Sequence, residues 1–130
     1  MPWDEVFIVF FISHLVGDYL FQTDWMATNK HGGLGSNPER RAALLSHIGT
    51  YTVAYLPAFI WLTDSVGGWI VVVALAVAIP HLIQDDGRLI AAYAWRVKHC
   101  DARSYPFVMA AVDQSFHLLA LFLLALAAGS

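Results

Sequence analysis

Residues 66–86 read VGGWIVVVALAVAIPHLIQDD, and this stretch decides the fold. Its first fourteen positions carry no ionisable side chain, and then Pro80, His81, Asp85 and Asp86 follow within one turn or two. At 1.5 Å per residue, about 20 apolar residues cross the hydrocarbon core of a bilayer. Three further stretches have the same character: residues 3–22, 42–62 and 105–128. The pattern predicts an all-α, integral-membrane four-helix bundle, one transmembrane domain over residues 1–130.

The composition agrees. Of the 130 residues, 58% are hydrophobic and 13% charged, and the mean hydropathy is +0.59. A soluble domain carries about 25% charged residues. The four stretches leave no room for a separate soluble catalytic domain, so any chemistry is expected in or beside the membrane. The net charge of −3 removes the electrostatic basis for binding nucleic acid. Cys100 is the single cysteine, which excludes an intramolecular disulfide and a CxxC motif. Asp4, Glu5, Asp18, Tyr19 and Gln22 in the first stretch are unlike a signal peptide, and a retained span is expected there. Pro57 interrupts the second stretch, which a membrane helix tolerates when neighbours satisfy the freed carbonyl.

Between the spans, residues 23–41 are rich in Gly, Asn and charge, with a short helix expected around residues 25–29; a tight turn is expected at residues 63–65. The third span is expected to continue as helix past Asp86 into residues 87–104, where Tyr93, Trp95, Arg96 and Lys98 suggest an interfacial segment. All seven basic residues lie in two connections: Lys30, Arg40 and Arg41, then Arg88, Arg96, Lys98 and Arg103. By the positive-inside rule, loops 23–41 and 87–104 face the cytoplasm and both termini face the other side of the membrane, as in a multi-pass protein.

Ionisable groups within spans are costly and mark function. His14 and Asp18 are four residues apart, with Gln22 four further on. His81 and Asp85 repeat the spacing, and Asp113 and His117 reverse it. Such pairs share one helical face. His47 stands on the second span, with Thr50 and Tyr51 one turn beyond. All four histidines fall at comparable depth in the cytoplasmic half, so a four-helix bundle would bring them to one site.

Imidazole and carboxylate at i and i+4 suit a divalent metal: zinc first, manganese or iron as alternatives. The expected ligands are His14, Asp18, His47, His81, Asp85, Asp113 and His117, enough for two ions or for one ion with supporting carboxylates. Asp86 is a candidate base or supporting carboxylate, and Gln22 and Gln114 could hold a substrate oxygen. Pro80 could kink the helix at the site. Other readings stay open. Polar pairs also join membrane helices by hydrogen bonds, His–Asp pairs can relay protons, and matched histidines can ligate haem, although aspartates beside three of them fit haem poorly. His31 and His99 are expected to be solvated.

The motifs HLVGDYLFQTDWMATNK (residues 14–30), ALLSHIGTYT (43–52), HLIQDD (81–86) and VDQSFHLL (112–119) resemble the bacterial membrane proteins grouped as domain of unknown function 3307. Asp86 stands where that pattern leads one to expect a basic or polar residue. The resemblance implies a small polytopic inner-membrane protein and brings no activity with it. A looser similarity in size and in His/Asp-bearing helices is to membrane-bound metal-dependent hydrolases. The repeated four-residue His/Asp spacing, the common depth of these groups and a basic rim able to attract an anionic headgroup lead to the expected function: a metal-dependent hydrolase or transferase acting on a lipid or lipid-linked substrate reached from the cytoplasmic leaflet. The rivals are a divalent-metal or proton transporter, disfavoured by the dry outward halves of the third and fourth spans, and a non-catalytic membrane partner. A homodimer is compatible with each.

Overall fold

The computed structural model describes all residues from Met1 to Ser130 and contains helices and no strands. Helix α1 (Trp3–Leu15) passes without interruption into a π-helical turn, Val16–Phe21. A short α2 (Asp24–Asn29) follows, started by Thr23, whose hydroxyl accepts the Met26 N–H. Helix α3 (Pro38–Ala54) begins where Asn37 accepts the N–H groups of Glu39 and Arg40, with proline in the first turn where its missing N–H is harmless.

The second apolar stretch is two helices. Pro57 offers no N–H to the turn before it, and the chain breaks at Tyr55, whose N–H bonds Thr52 three residues back. Helix α4 (Leu56–Val66) then runs through the expected turn at residues 63–65. Thr63 is accommodated within that helix, its hydroxyl bonded back to the Phe59 carbonyl at 2.7 Å. The break comes instead at Gly67, where φ is +55° and glycine carries no steric penalty, followed by a 3₁₀ turn at Gly67–Trp69.

Helix α5 (Ile70–Asp85) contains Pro80 without interruption of the helix. It does not extend past Asp86 as expected, because Gly87 takes φ +81° and ends it; α6 (Arg88–Arg96) starts afresh. Helix α7 (Pro106–Ala128) closes the chain. It packs along α1 and α5, while α5 runs back along α3. Trp3 and Phe7 both meet Phe122 edge-on, so the chain starts and finishes at one end of the bundle, where the Ser130 N–H reaches the Met1 carbonyl at 2.8 Å.

Polar groups are buried in one half of the bundle while many large apolar side chains are exposed. Only 27 residues are buried, and nine of them are polar or charged, including His14, His47 and Asp85. The apolar core, from Val6 and Phe10 through Phe59, Leu62 and Val77 to Leu121 and Ala125, fills the half nearer the termini. Leu20, Ile60, Val71 and Phe107 face outward, Phe107 at 90% exposure. Two helical stretches, Leu56–Asp85 and Pro106–Ala128, are long and apolar enough to cross a membrane.

Candidate metal centre

The half of the bundle away from the termini holds a buried polar cluster, to which α1 with its π-turn, α3, α5 and α7 each contribute a histidine. Ring centroids lie 5.5 Å apart for His14 and His117, 5.2 Å for His47 and His81, and 4.4 Å for His81 and His117. At its centre, one donor atom from each of Asp18, His47, His81 and Asp85 lies within 4.8 Å of every other, and all four residues are buried. His47 Nε2 is 3.0 Å from His81 Nε2, 3.1 Å from Asp18 Oδ1 and 2.7 Å from Asp85 Oδ2. His81 Nε2 is 3.3 Å from Asp18 Oδ1 and 3.0 Å from Asp85 Oδ2.

These distances fit a metal. Four ligands at about 2.0–2.1 Å from a tetrahedral zinc stand roughly 3.3 Å from one another, close to the spacings found. Protons satisfy the same contacts only in part. Asp18 Oδ1 has no hydrogen-bond partner although two imidazole nitrogens stand within 3.3 Å of it. Two aspartates are also buried here with one ammonium group, Lys30, beside them; such charge is expensive without a further counter-ion.

Around the four, hydrogen bonds and packing fix the ring positions. The His81 ring stacks on Tyr51 with centroids 3.5 Å apart and planes 9° from parallel. That contact orients the ring where its Nδ1, like that of His47, has no hydrogen-bond partner. Tyr51 Oη in turn lies 2.9 Å from His14 Nδ1 and 3.0 Å from Tyr55 Oη, and Tyr55 donates to the Phe10 carbonyl. His14 Nε2 bonds Gln114 Oε1 at 2.8 Å, and the Gln114 amide donates to Asp18 Oδ2 at 3.2 Å. His14 thus has both ring nitrogens engaged and stands beside the four donors.

The other expected residues are placed as follows. Asp113 and His117 form a second group with Asp85. Gln22 ends the π-turn in extended backbone and bonds the Asp18 carbonyl, so it leaves the helical face expected for it. Asp86 faces the connection between α2 and α3: its carboxylate accepts the Leu34 N–H at 2.9 Å and the Arg88 Nε–H at 2.7 Å. Its carbonyl accepts the Gly32 N–H. His31 and His99 are exposed.

Sequence reasoning missed Lys30. The docking of residues 32–34 on Asp86 carries it inward until its Nζ lies 3.1 Å from Asp85 Oδ2, with 9% of the side chain exposed. It also missed Tyr55; the run His47, Tyr51, Tyr55 at four-residue steps was the available signal. Gly17 was overlooked too: the Tyr51 ring lies against it, where any side chain would collide.

A cavity of about 720 Å³ opens over the cluster. Asp18, Asp113 and Gln114 form its polar floor, Lys30, Arg40, Arg88 and Arg103 supply positive charge, and Ile90, Pro106 and Met109 make an apolar side. No curated protein and no solved structure matches the chain. Its sequence does fit one family model, described as a protein of unknown function, over residues 6–129. On that match, the chain belongs to the DUF3307 family.

Proposed function

We propose that this protein is a membrane-embedded metal-dependent hydrolase or transferase acting on a lipid or lipid-linked substrate. The observation that carries the reading is the junction of two features: four buried metal-type donors within 4.8 Å of one another, and a cavity above them that is cationic on one part and apolar on another. An anionic headgroup matches Arg40, Arg88 and Arg103, while an acyl or prenyl chain matches the wall of Ile90, Pro106 and Met109. The four helical passes are α1 with its π-turn, α3 with α4, α5 and α7. They expose apolar side chains and bury the ionisable ones, as a bilayer requires. The two connections that carry all the basic residues lie at the end away from the termini and are assigned to the cytoplasm of a bacterial cell.

A bound divalent ion, zinc by the donor set with manganese or iron as alternatives, would polarise a carbonyl or phosphoryl group and make water a nucleophile near neutral pH. Asp18, His47, His81 and Asp85 would hold it. Gln114, fixed between His14 and Asp18, orients the carboxylate and presents an amide to the cavity floor. Lys30 places positive charge beside Asp85, where an anion developing on the substrate would be stabilised. Asp86 and Gln22 line the same cavity; Asp86 shapes it by tying residues 32–34 to Arg88.

A conduit for metal or protons is the rival. Against it stands the path outward from the cluster: His14, Tyr51 and Tyr55 end on the Phe10 carbonyl, an acceptor with no proton to pass on. Beyond lies the apolar core, Phe59, Leu62, Val73 and Val77 among its members. The test is reconstitution of detergent-purified protein into vesicles of anionic glycerophospholipid, with release of headgroup or fatty acid followed by mass spectrometry. Metal-dependent turnover, lost in His47→Ala/His81→Ala, is expected. Protein that binds no zinc, manganese or iron when each is supplied would overturn the proposal.

A further inference from the structure

The two oxygens of Asp85 look in different directions. Oδ2 faces His47 and His81, at 2.7 and 3.0 Å, and Oδ1 faces His117 Nε2 at 3.0 Å. A carboxylate placed in this way is suited to bridging two ions. We infer that the centre is dinuclear, with a second divalent ion held by Asp85, Asp113 and His117 and shared through Asp85 with the four-donor site.

Three observations support the second position. One donor atom from each of Asp85, Asp113 and His117 lies within 4.8 Å of the others. His117 is oriented for metal: its Nδ1–H donates to the Asp113 carbonyl at 2.7 Å, which turns Nε2 toward Asp85 Oδ1 at 3.0 Å. A backbone carbonyl holding the far nitrogen is the usual support of a metal-bound imidazole. A lone pair and a carboxylate oxygen 3.0 Å apart repel unless a cation or a proton lies between them. Finally, Asp113 is the most accessible member of the cluster, with 23% of its side chain exposed on the cavity floor.

The two positions differ in kind. The first has four protein donors, with Asp18 among them on the cavity floor; the second has three and leaves a further position open toward the cavity, as catalytic sites do. The substrate's reacting group is therefore expected across the two ions. Ions bridged in this way stand about 3.5–4 Å apart in known two-metal hydrolytic sites.

The inference rests on the metal reading proposed above, and counting ions separates the two. Full-length protein purified in detergent is stripped with chelator, reloaded with zinc or manganese, and analysed by mass spectrometry for bound metal, with circular dichroism as the folding check. Two equivalents in the wild type, one in Asp113→Asn and two again in Asp113→Glu are expected. The manganese-loaded wild type should show a spin-coupled paramagnetic resonance signal that Asp113→Asn converts to that of an isolated ion. One uncoupled equivalent in both wild type and Asp113→Asn overturns the second ion and leaves the first standing. Two equivalents in folded Asp113→Asn overturn the ligand set. No metal in any of them overturns both readings. The wild-type count and its coupling decide the matter even where a variant fails to fold.

Discussion

Nε2 of His47 and Nε2 of His81 face each other across 3.0 Å, and both lie within 3.0 Å of the same oxygen of Asp85. Helices α3 and α5 meet at this point through groups that hydrogen bonding satisfies only partly. A ligand that binds only the folded chain stabilises it by about 2.7 kcal/mol at a hundredfold excess over Kd. Reloading the stripped protein with zinc is therefore expected to raise its Tm in detergent, on the order of 8 °C for a chain of this size. His47→Ala/His81→Ala should show no such rise, and differential scanning fluorimetry would measure both.

Lys30 and a bound ion both neutralise Asp85. In stripped protein, Lys30→Met leaves a buried carboxylate without its ammonium partner, a loss of about 3–5 kcal/mol. In loaded protein the ion takes over part of that task, and the loss is expected to shrink by at least half. Thermal unfolding of wild type and variant, each with and without metal, gives the coupling directly; equal losses in the two states would count against an ion at Asp85.

Two glycines make a matched pair. A Cβ on Gly17 would stand 2.5 Å from Cδ2 of Tyr51, whose ring His81 stacks on, whereas a Cβ on Gly49 meets nothing within 4 Å. Gly17→Ala is expected to destabilise by about 1–3 kcal/mol through overpacking and to weaken metal binding. Gly49→Ala, in the middle of α3, should stabilise by about 0.5–1 kcal/mol. Their Tm values should move in opposite directions.

Tyr51→Phe separates two contributions of one side chain. The ring on His81 remains, while the hydroxyl that joins His14 to Tyr55 is removed. Metal content should stay at the wild-type value. Stability should fall by about 1–3 kcal/mol, because His14 Nδ1 is left buried without a partner. Tyr51→Leu, which also removes the stacked face, should lower metal affinity as well.

Cys100 is the single cysteine and is partly exposed between α6 and α7, so it reports the orientation without further engineering. A membrane-impermeant maleimide is expected to label it in inverted vesicles and to spare it in intact spheroplasts. The opposite pattern would turn the protein over in the bilayer and place the cavity on the outer face.

Much of this arrangement can be read from spacing alone. The four-residue steps of His81 and Asp85 and of Asp113 and His117, with His47 at matching depth, are local facts about helices, and the folded chain brings these groups together. Lys30 is invisible to such reasoning. It reaches Asp85 because Leu34 and Gly32 dock on Asp86, which belongs to another helix far along the chain. The break at Gly67 was misplaced by a few residues because Thr63, Asp64 and Ser65 look like turn residues, while the Thr63 hydroxyl is in fact spent on its own helix.

The π-helical turn at Val16–Phe21 acts as a phase shift. Its wider hydrogen-bond step takes in about one more residue per turn than an α-helix does, and one residue corresponds to about 100° of rotation. His14 before the turn and Gln22 after it therefore obey different angular clocks, and a single helical wheel drawn through both misplaces one of them. Were the same six residues wound as uniform α-helix, the span would keep its apolar residues, yet Asp18 and everything after it would swing to a different azimuth relative to α1. The chain would keep its hydrophobic exterior and lose the registration of its interior.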